Sequence, residues 1–324
     1  MQTAPGGADT LVLGEMDCPQ PGPGQLLVKV AAAGVNRADI VQREGRYPAP
    51  AGASPILGLE VAGTVAALGD GVSGFAPGDA VFGLVAGGGY AEYALLDAGC
   101  AIARPTWLSA QAAASLPEAW MTAWFNLIEQ AQLQAGETVL IHAGASGVGA
   151  AAIQLARWHG ATVLATAGSD DKLAFCRRLG ADQVFNYRSG DFADWAKAAG
   201  GVDVVLDCVG GNYLASNIAS LKPDGRLVLI GLMGGASASI DLSRLLMKRL
   251  ALKGSTLRPQ PLAVKSRLTA ALAGQILPAL CDGRLQLTLD RSFAWQQVAA
   301  SHCYLESNAN LGKVVLDFGE GNQS

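Results

Sequence analysis

The chain has no C-x-x-C pair, and its six cysteines, Cys18, Cys100, Cys176, Cys208, Cys281 and Cys303, are widely spaced. That spacing argues against a disulfide framework and fits a reducing, cytoplasmic compartment. Charge is scarce. Asp, Glu, Lys and Arg make up 15% of the 324 residues, the net charge is −4 and no Lys/Arg run occurs, so a nucleic-acid surface is not expected. Met1 is not followed by a basic stretch and an apolar core, so no secretory signal is expected. Thr138 to Ala156 carries no charge and is long enough for a crude membrane-span filter. Its glycines, serine and histidine fit a soluble strand, turn and helix instead, and no membrane partner is expected. Internal repeats and low-complexity blocks are absent.

What is present is apolar and rich in turns. Half the residues are hydrophobic and 41 are glycine, as buried parallel strands joined by tight turns require. The stretch TVLIHAGASGVGAAAIQLARWHG, Thr138 to Gly160, organises the rest. Val139, Leu140 and Ile141 form a strand buried on both faces, and from Val148 the apolar residues take helical spacing, with Gly160 as the C-terminal cap. Between them, Ala143, Gly144, Ser146, Gly147 and Gly149 carry little or no side chain. An anion can therefore approach the backbone N–H groups at the positive end of the helix, which suits a dinucleotide pyrophosphate. The usual Gly-x-Gly-x-x-Gly spacing is missing, so the turn alone is weak evidence. The strands ATVLAT, DQVFN, VDVVLDCV and RLVLIG follow, with helices between them, through Leu250 to Thr256. This is the pattern of a doubly wound parallel sheet of the Rossmann kind, an α/β fold.

Before about Ala110 the strands are short and broken by Gly and Pro: QLLVKVAAAG, GLEVAGTVAALG, GDAVFGLV and GYAEYALL. They predict a compact, mostly antiparallel domain. Arg37 to Glu44 reads as a short helix, and Ser109 as the N-cap of a helical run that Pro117 divides. After Thr256, Leu262 to Leu280 reads as one helix or two divided near Pro278. The strand LQLTL, the helix FAWQQVAASHCYLES and the strand KVVLDF come next. This tail is assigned to the first domain, giving a discontinuous domain, 1–117 and 258–324, with the sheet domain 118–257 inserted.

Several stretches together resemble the zinc-independent quinone oxidoreductases of the medium-chain dehydrogenase/reductase superfamily: AAGVNRADIVQREGRYP, ILGLEVAGTVAALGDGV, SLPEAWMTAW, LIHAGASGVGAAAIQLA, GADQVFNY, LDCVGG, LIGLMGG and NANLGKVVL. HAGxSGVG with GLMGG looks most like the branch known in animals as the tumour-suppressor-induced quinone oxidoreductase. The resemblance implies a mostly β, GroES-like catalytic domain carrying an inserted Rossmann domain, and pairing of two copies along the last sheet strand, about Leu250 to Thr256. Where the superfamily's alcohol dehydrogenases place a Cys and a His as zinc ligands, this chain has Asn36 and Leu59. No metal is therefore expected. Met1 to Pro5 is shorter than the family's usual start, as if the first strand were clipped.

The second sheet strand ends ATAGSDDK, with Thr166 and Ala167 where an NAD site places an acid. The resemblance puts Gly168, Ser169, Lys172 and Tyr187 around a 2′-phosphate, and the cofactor is read as NADPH. Asp170 and Asp171 are the contrary sign, read here as helix-capping acids. The resemblance also implies that Gly144, Ser146, Gly147, Val148, Gly149, Val209, Gly231, Leu232 and Met233 contact the cofactor, and that Asn36, Tyr47 and Thr122 line its nicotinamide end. Tyr47 either donates to a developing oxyanion or forms an aromatic wall. Lys313 either faces the cofactor, as in the family, or is a solvated surface residue. The histidines read as structural, His142 near the pyrophosphate turn, His159 at a helix end and His302 in a polar helix. The implied activity is NADPH-dependent reduction of small quinones. The alternatives are reduction of activated alkenes, such as enones or enoyl thioesters, and non-catalytic NADPH binding.

Overall fold

The structure, a computed structural model, describes residues 5–319. The expected clipped start thus lies, up to Ala4, outside the described residues. The chain separates into two compact units. One comprises Met1–Met121, Arg258–Pro278 and Leu287–Ser324, and the other Thr122–Leu257 and Ala279–Gln286. The second unit thus includes eight residues of the tail that the sequence reading gave to the first domain. Gln154 accounts for that: its Oε1 accepts from Gln286 N at 2.7 Å, and its Nε2 donates to Gln286 O at 3.2 Å.

The first unit begins with the strand β1, Gln25–Val35, and the short helix Arg37–Arg43. The strands β2 (Glu60–Leu68), β3 (Ala80–Leu84), β4 (Tyr93–Asp97) and β5 (Ala101–Ala103) follow. Ser109 caps the helix Ala110–Ala113 by accepting from Ala112 N at 3.2 Å, and a second helix starts at Pro117. Proline suits a first helical position because its missing N–H has no partner there in any helix.

In the second unit β6 (Thr138–Ile141), β7 (Thr162–Ala167), β8 (Gln183–Asn186), β9 (Val202–Asp207), β10 (Leu221–Leu229) and β11 (Ala251–Gly254) form a six-stranded parallel sheet in the order β11-β10-β9-β6-β7-β8. The order reverses between β6 and β9, so the exits of these two neighbouring strands lie at the switch point where ligands of doubly wound sheets bind. Leu140, Leu164, Val205 and Leu227 pack with Phe192 and Ala196 of the helix Phe192–Ala198 in one core cluster. β11 is an edge strand and wholly exposed.

The first unit is completed by β12 (Leu289–Ala294) and β13 (Lys313–Asp317), in a seven-stranded sheet of order β12-β13-β1-β2-β3-β5 with β4 paired to β1. All of its pairings are antiparallel except β12 with β13. Two expectations for the tail need correction, and the choice between one helix and two over Leu262 to Leu280 falls to one. LQLTL is not a strand, because Leu285 N bonds Ala279 O and Gln286 is held by Gln154; pairing with β13 begins at Leu289. Phe293 and Ala294 belong to β12, and the helix that follows is Val298–Glu306. Pro278 divides nothing: Leu262–Ala271 runs through the π-helical turn Leu272–Ile276 into Leu277–Cys281. Among the described residues no helix is long and apolar enough to cross a membrane.

Candidate functional site

In the second unit the exit of β6 is built by close backbone approach. Ala143 takes a left-handed conformation, φ 50°. A Cβ on Gly149 would fall 2.3 Å from Ala143 O, and one on Gly144 would fall 2.8 Å from Cys176 Sγ, so larger residues cannot stand at either place. Ser146 caps the helix Gly147–Trp158, its Oγ accepting from Gly149 N at 3.0 Å. Gly147 and Val148 are the first helical positions, whose N–H groups have no acceptor within a helix. No acidic side chain stands in this first turn. The donor set fits a diphosphate at the helix's positive end, and it unites Gly144, Ser146, Gly147, Val148 and Gly149.

His142 ties the neighbouring strands together. Its Nε2 lies 2.7 Å from Asn217 Oδ1 and its Nδ1 2.9 Å from Thr166 Oγ1, while Asn217 Nδ2 donates to Asp207 Oδ2 at 3.0 Å. Because the Asn217 amide nitrogen is committed to Asp207, its oxygen must accept, which puts the histidine proton on Nε2. Burial holds the imidazole below its ordinary pKa, and it stays neutral. Asp207 in turn holds Val209 N at 2.7 Å and Gly210 N at 3.1 Å. Met233 N bonds Cys208 O at 3.3 Å and Gly234 N bonds Val209 O at 2.7 Å. Val209, Gly231, Leu232 and Met233 are therefore gathered beside the end of β9, with Leu232 and Met233 half exposed.

At the end of β7, Thr166 is committed to His142. Gly168 is covered by Tyr187: a Cβ there would fall 2.4 Å from the tyrosine hydroxyl. Ser169 is the N-cap of the helix Asp170–Arg178, yet its hydroxyl makes no capping bond. Asp170 and Asp171 follow the cap and lie exposed in the first turn. They are first-turn acids facing the helix dipole rather than caps. Ser169 and Lys172 of this helix thus stand near the Gly168–Tyr187 contact in sequence. Thr122, the first residue of this unit, accepts from Asn126 Nδ2 at 2.8 Å through its carbonyl.

In the first unit a polar network fills the space between β1, β2 and β13. Glu60, fully buried, accepts from Asn36 Nδ2 at 2.8 Å, from Lys313 Nζ at 2.6 Å and, on its other oxygen, from Glu118 N at 2.8 Å. Lys313 also donates to Asn36 Oδ1 at 2.5 Å. Its side chain is 5% exposed, so the solvated reading of Lys313 is wrong. Gly34 makes room for this arrangement, because a Cβ there would fall within 2.5 Å of the Glu60 carboxylate carbon.

Asn36 begins the helix Arg37–Arg43, and its N–H donates to Asp39 Oδ2 at 2.8 Å. Asp39 also accepts from Gly58 N and the Tyr90 hydroxyl, yet burial pushes its carboxyl up to about 6. Tyr90 and Arg43 both reach His302, which is buried and hydrogen-bonded, in keeping with its structural reading. Tyr47 stands apart from the network, half-buried, with the Arg258 guanidinium 5.6 Å from its ring centre. Arg258 is fixed by Ala86 O and Gln42 Oε1. Burial and the nearby Glu118 raise the Tyr47 hydroxyl above its ordinary pKa, so it stays a donor. Sequence reasoning named Asn36, Tyr47 and Lys313 but missed Glu60, Glu118 and Arg258. The signal was an acid inside the apolar strand GLEVAG, which a buried strand tolerates only with a partner.

Comparison with known proteins agrees with this geometry. Residues 22–106 match the alcohol dehydrogenase GroES-like domain, and residues 147–271 match the zinc-binding dehydrogenase family. The fold superposes on the CurK enoyl reductase at 30% identity, TM-score 0.84, over 98% of this chain and 97% of that one. The chain belongs to the medium-chain dehydrogenase/reductase superfamily.

This medium-chain dehydrogenase/reductase is therefore a nicotinamide-dependent oxidoreductase by family. It also resembles a mycobacterial protein complexed with NADPH (30% identity, TM-score 0.89) and a Pseudomonas syringae quinone oxidoreductase (28%, TM-score 0.87), each over 98% of both chains. Among curated proteins it is 40% identical over 230 residues to the phthioceranic/hydroxyphthioceranic acid synthase of Mycobacterium tuberculosis, covering 70% of this chain. It is 38% identical over 323 residues to the spectinabilin polyketide synthase system protein NorB of Streptomyces orinoci, covering 96% of this chain. The chain spans only 11% and 14% of those two relatives.

The residues do not fit the catalytic zinc that one family name carries. Asn36 has its amide committed to Glu60 and Lys313, and Leu59 is an apolar side chain 1% exposed; neither is a thiolate or imidazole ligand.

Proposed function

We propose that this chain is an NADPH-dependent reductase that delivers hydride to a small conjugated carbonyl acceptor without zinc, with small quinones the first acceptors to test. The observation that carries this reading is the Asn36–Glu60–Lys313 network, an interlocked amide, carboxylate and ammonium at the place where the superfamily's alcohol dehydrogenases bind their metal. The turn Gly144–Gly149 holds the diphosphate, Val209 and Gly231–Met233 adjoin the nicotinamide half, and Gly168, Ser169, Lys172 and Tyr187 bind the 2′-phosphate. Bound NADPH supplies the hydride. Tyr47, kept protonated, donates a hydrogen bond to the oxygen that becomes negative as hydride arrives. Arg258 against its ring orients it and adds positive charge nearby. Asn36 and Thr122 shape the reacting end.

Activated alkenes, including enoyl thioesters, are the second reading, favoured by the likeness to an enoyl reductase and to polyketide synthases. The motif pair HAGxSGVG and GLMGG supports the tumour-suppressor-induced quinone oxidoreductase branch. The six cysteines, all free, suit the cytoplasm, and the exposed edge β11 suits pairing of two copies. Steady-state NADPH oxidation with ortho-quinones, para-quinones, enones and enoyl thioesters separates the readings. Turnover confined to an enoyl thioester would reject quinones as the acceptor. Tight NADPH binding without turnover of any acceptor would reject catalysis altogether.

A further inference from the structure

One carboxyl in the first unit has no task in the network above. Glu118 stands in the first turn of the helix Pro117–Trp124, and its N–H is bonded to Glu60 Oε2. Glu60 itself accepts from Asn36, Lys313 and that N–H. The Glu118 carboxyl, half-buried, makes no hydrogen bond or ion pair among the described residues. Glu60, Lys313, Asp39, Arg258 and Tyr47 are the charged and titratable groups that face it.

Lys313 stands 2.6 Å from Glu60, and its charge opposes the upward shift of Glu118. Burial, and then the charge of Glu60, push the Glu118 carboxyl up to about 8. At neutral pH it is therefore a carboxylic acid, and its O–H has no acceptor among the described residues. Tyr47, a phenol raised above its ordinary range, is the weaker acid of the two.

We propose that Glu118 is the acid that completes reduction of the acceptor, an inference that rests on the function proposed above. Hydride addition leaves a hydroquinone oxyanion or an enolate. The Glu118 O–H bond then breaks as an O–H or C–H bond forms on that anion, and the carboxylate regains its proton from water. One hydride and one proton are consumed per acceptor, and no further oxidant or reductant is involved. Tyr47 holds the acceptor oxygen while Glu118 delivers the proton, and burial with the charge of Glu60 keeps Glu118 neutral between turnovers against the opposing charge of Lys313. An acid matters most for an enolate, since an oxyanion is protonated readily by water and a carbon is not.

The test compares wild type with E118Q, E118A and E118D. Fluorescence titration with NADPH comes first, and unchanged affinity shows that the variants fold. With an acceptor that wild type reduces, E118Q should lower kcat by about 10²–10⁴-fold. The fall in wild-type kcat as pH rises through about 8 should vanish in the variant. E118D should recover part of the rate, and formate or acetate should rescue E118A, which a merely structural role would not allow. An infrared carboxylic-acid band at pH 7, present in wild type and absent in E118Q, reports the proton directly. Wild-type kcat and pH profile retained in E118Q, no rescue of E118A by small acids, or no such band in wild type would each overturn the assignment alone. Wild type that reduces no acceptor would sink the functional reading and this one with it.

Discussion

Replacing Lys313 with methionine tests the network at a buried charge. The ammonium donates to Glu60 Oε1 at 2.6 Å, to Asn36 Oδ1 at 2.5 Å and to Val35 O at 3.4 Å. The two charged side chains are 5% and 0% exposed. Methionine fills similar volume but leaves a carboxylate buried with only the Asn36 amide and the Glu118 N–H for company. Removing one partner of such a pair costs about 3–5 kcal/mol, against about 0–1 kcal/mol for an exposed pair. Urea unfolding followed by fluorescence should show that loss, with Trp120, fully buried, among the reporters. In the double variant K313M/E60Q the stranded charge is gone, so much of the loss should return, with a coupling of about 2–3 kcal/mol. A loss below about 1 kcal/mol in K313M, or losses that simply add in the double variant, would show that the ion pair does not hold this part of the unit together.

Two further outcomes follow from the same geometry. In S169A/K172A, affinity for NADPH measured by calorimetry should fall about 10–100-fold while affinity for NADH is unchanged, because charge-assisted bonds to a 2′-phosphate are lost; equal losses for both would contradict the placement of the phosphate. His302 is held down at about 4 by burial first and then by the charge of Arg43, against an ordinary value of 6.5. Its contribution is present above pH 6.5 and is lost as pH falls through about 4. The contribution of Asp39, raised from 3.8 to about 6, runs the other way, present below 3.8 and lost as pH rises through about 6. Since Asp39 stays in both proteins, H302Q should gain about 3 kcal/mol relative to wild type between pH 6.5 and 4. Parallel stability curves for the two would contradict this.

Much of the second unit was legible because its signals are local. Val139–Ile141, the small residues of Ala143–Gly149 and the helix beyond them announce strand, turn and helix from adjacent positions, and the parallel order follows from repeating that unit. Ser109 and Pro117 likewise mark helix starts by their own chemistry. The tail was harder, since the place of LQLTL was decided by Gln154, far away in sequence. For the same reason the sequence leaves Lys313 open between cofactor and solvent, and it does not show the partners of His302, read as structural. Only Glu60, Asn36, Arg43 and Tyr90, brought in by other strands and helices, make burial of the two tolerable. Glu118 was invisible because its interest lies in a bond it does not make.

The most direct measurement of the central claim is single-turnover oxidation of bound NADPH by protein stripped of metals with a strong chelator, using the best acceptor of the panel and repeated with NADH. The account predicts full turnover after chelation, no stimulation by added zinc, and a marked preference for NADPH. Activity lost on chelation and restored by zinc, or equal use of NADH, would contradict it.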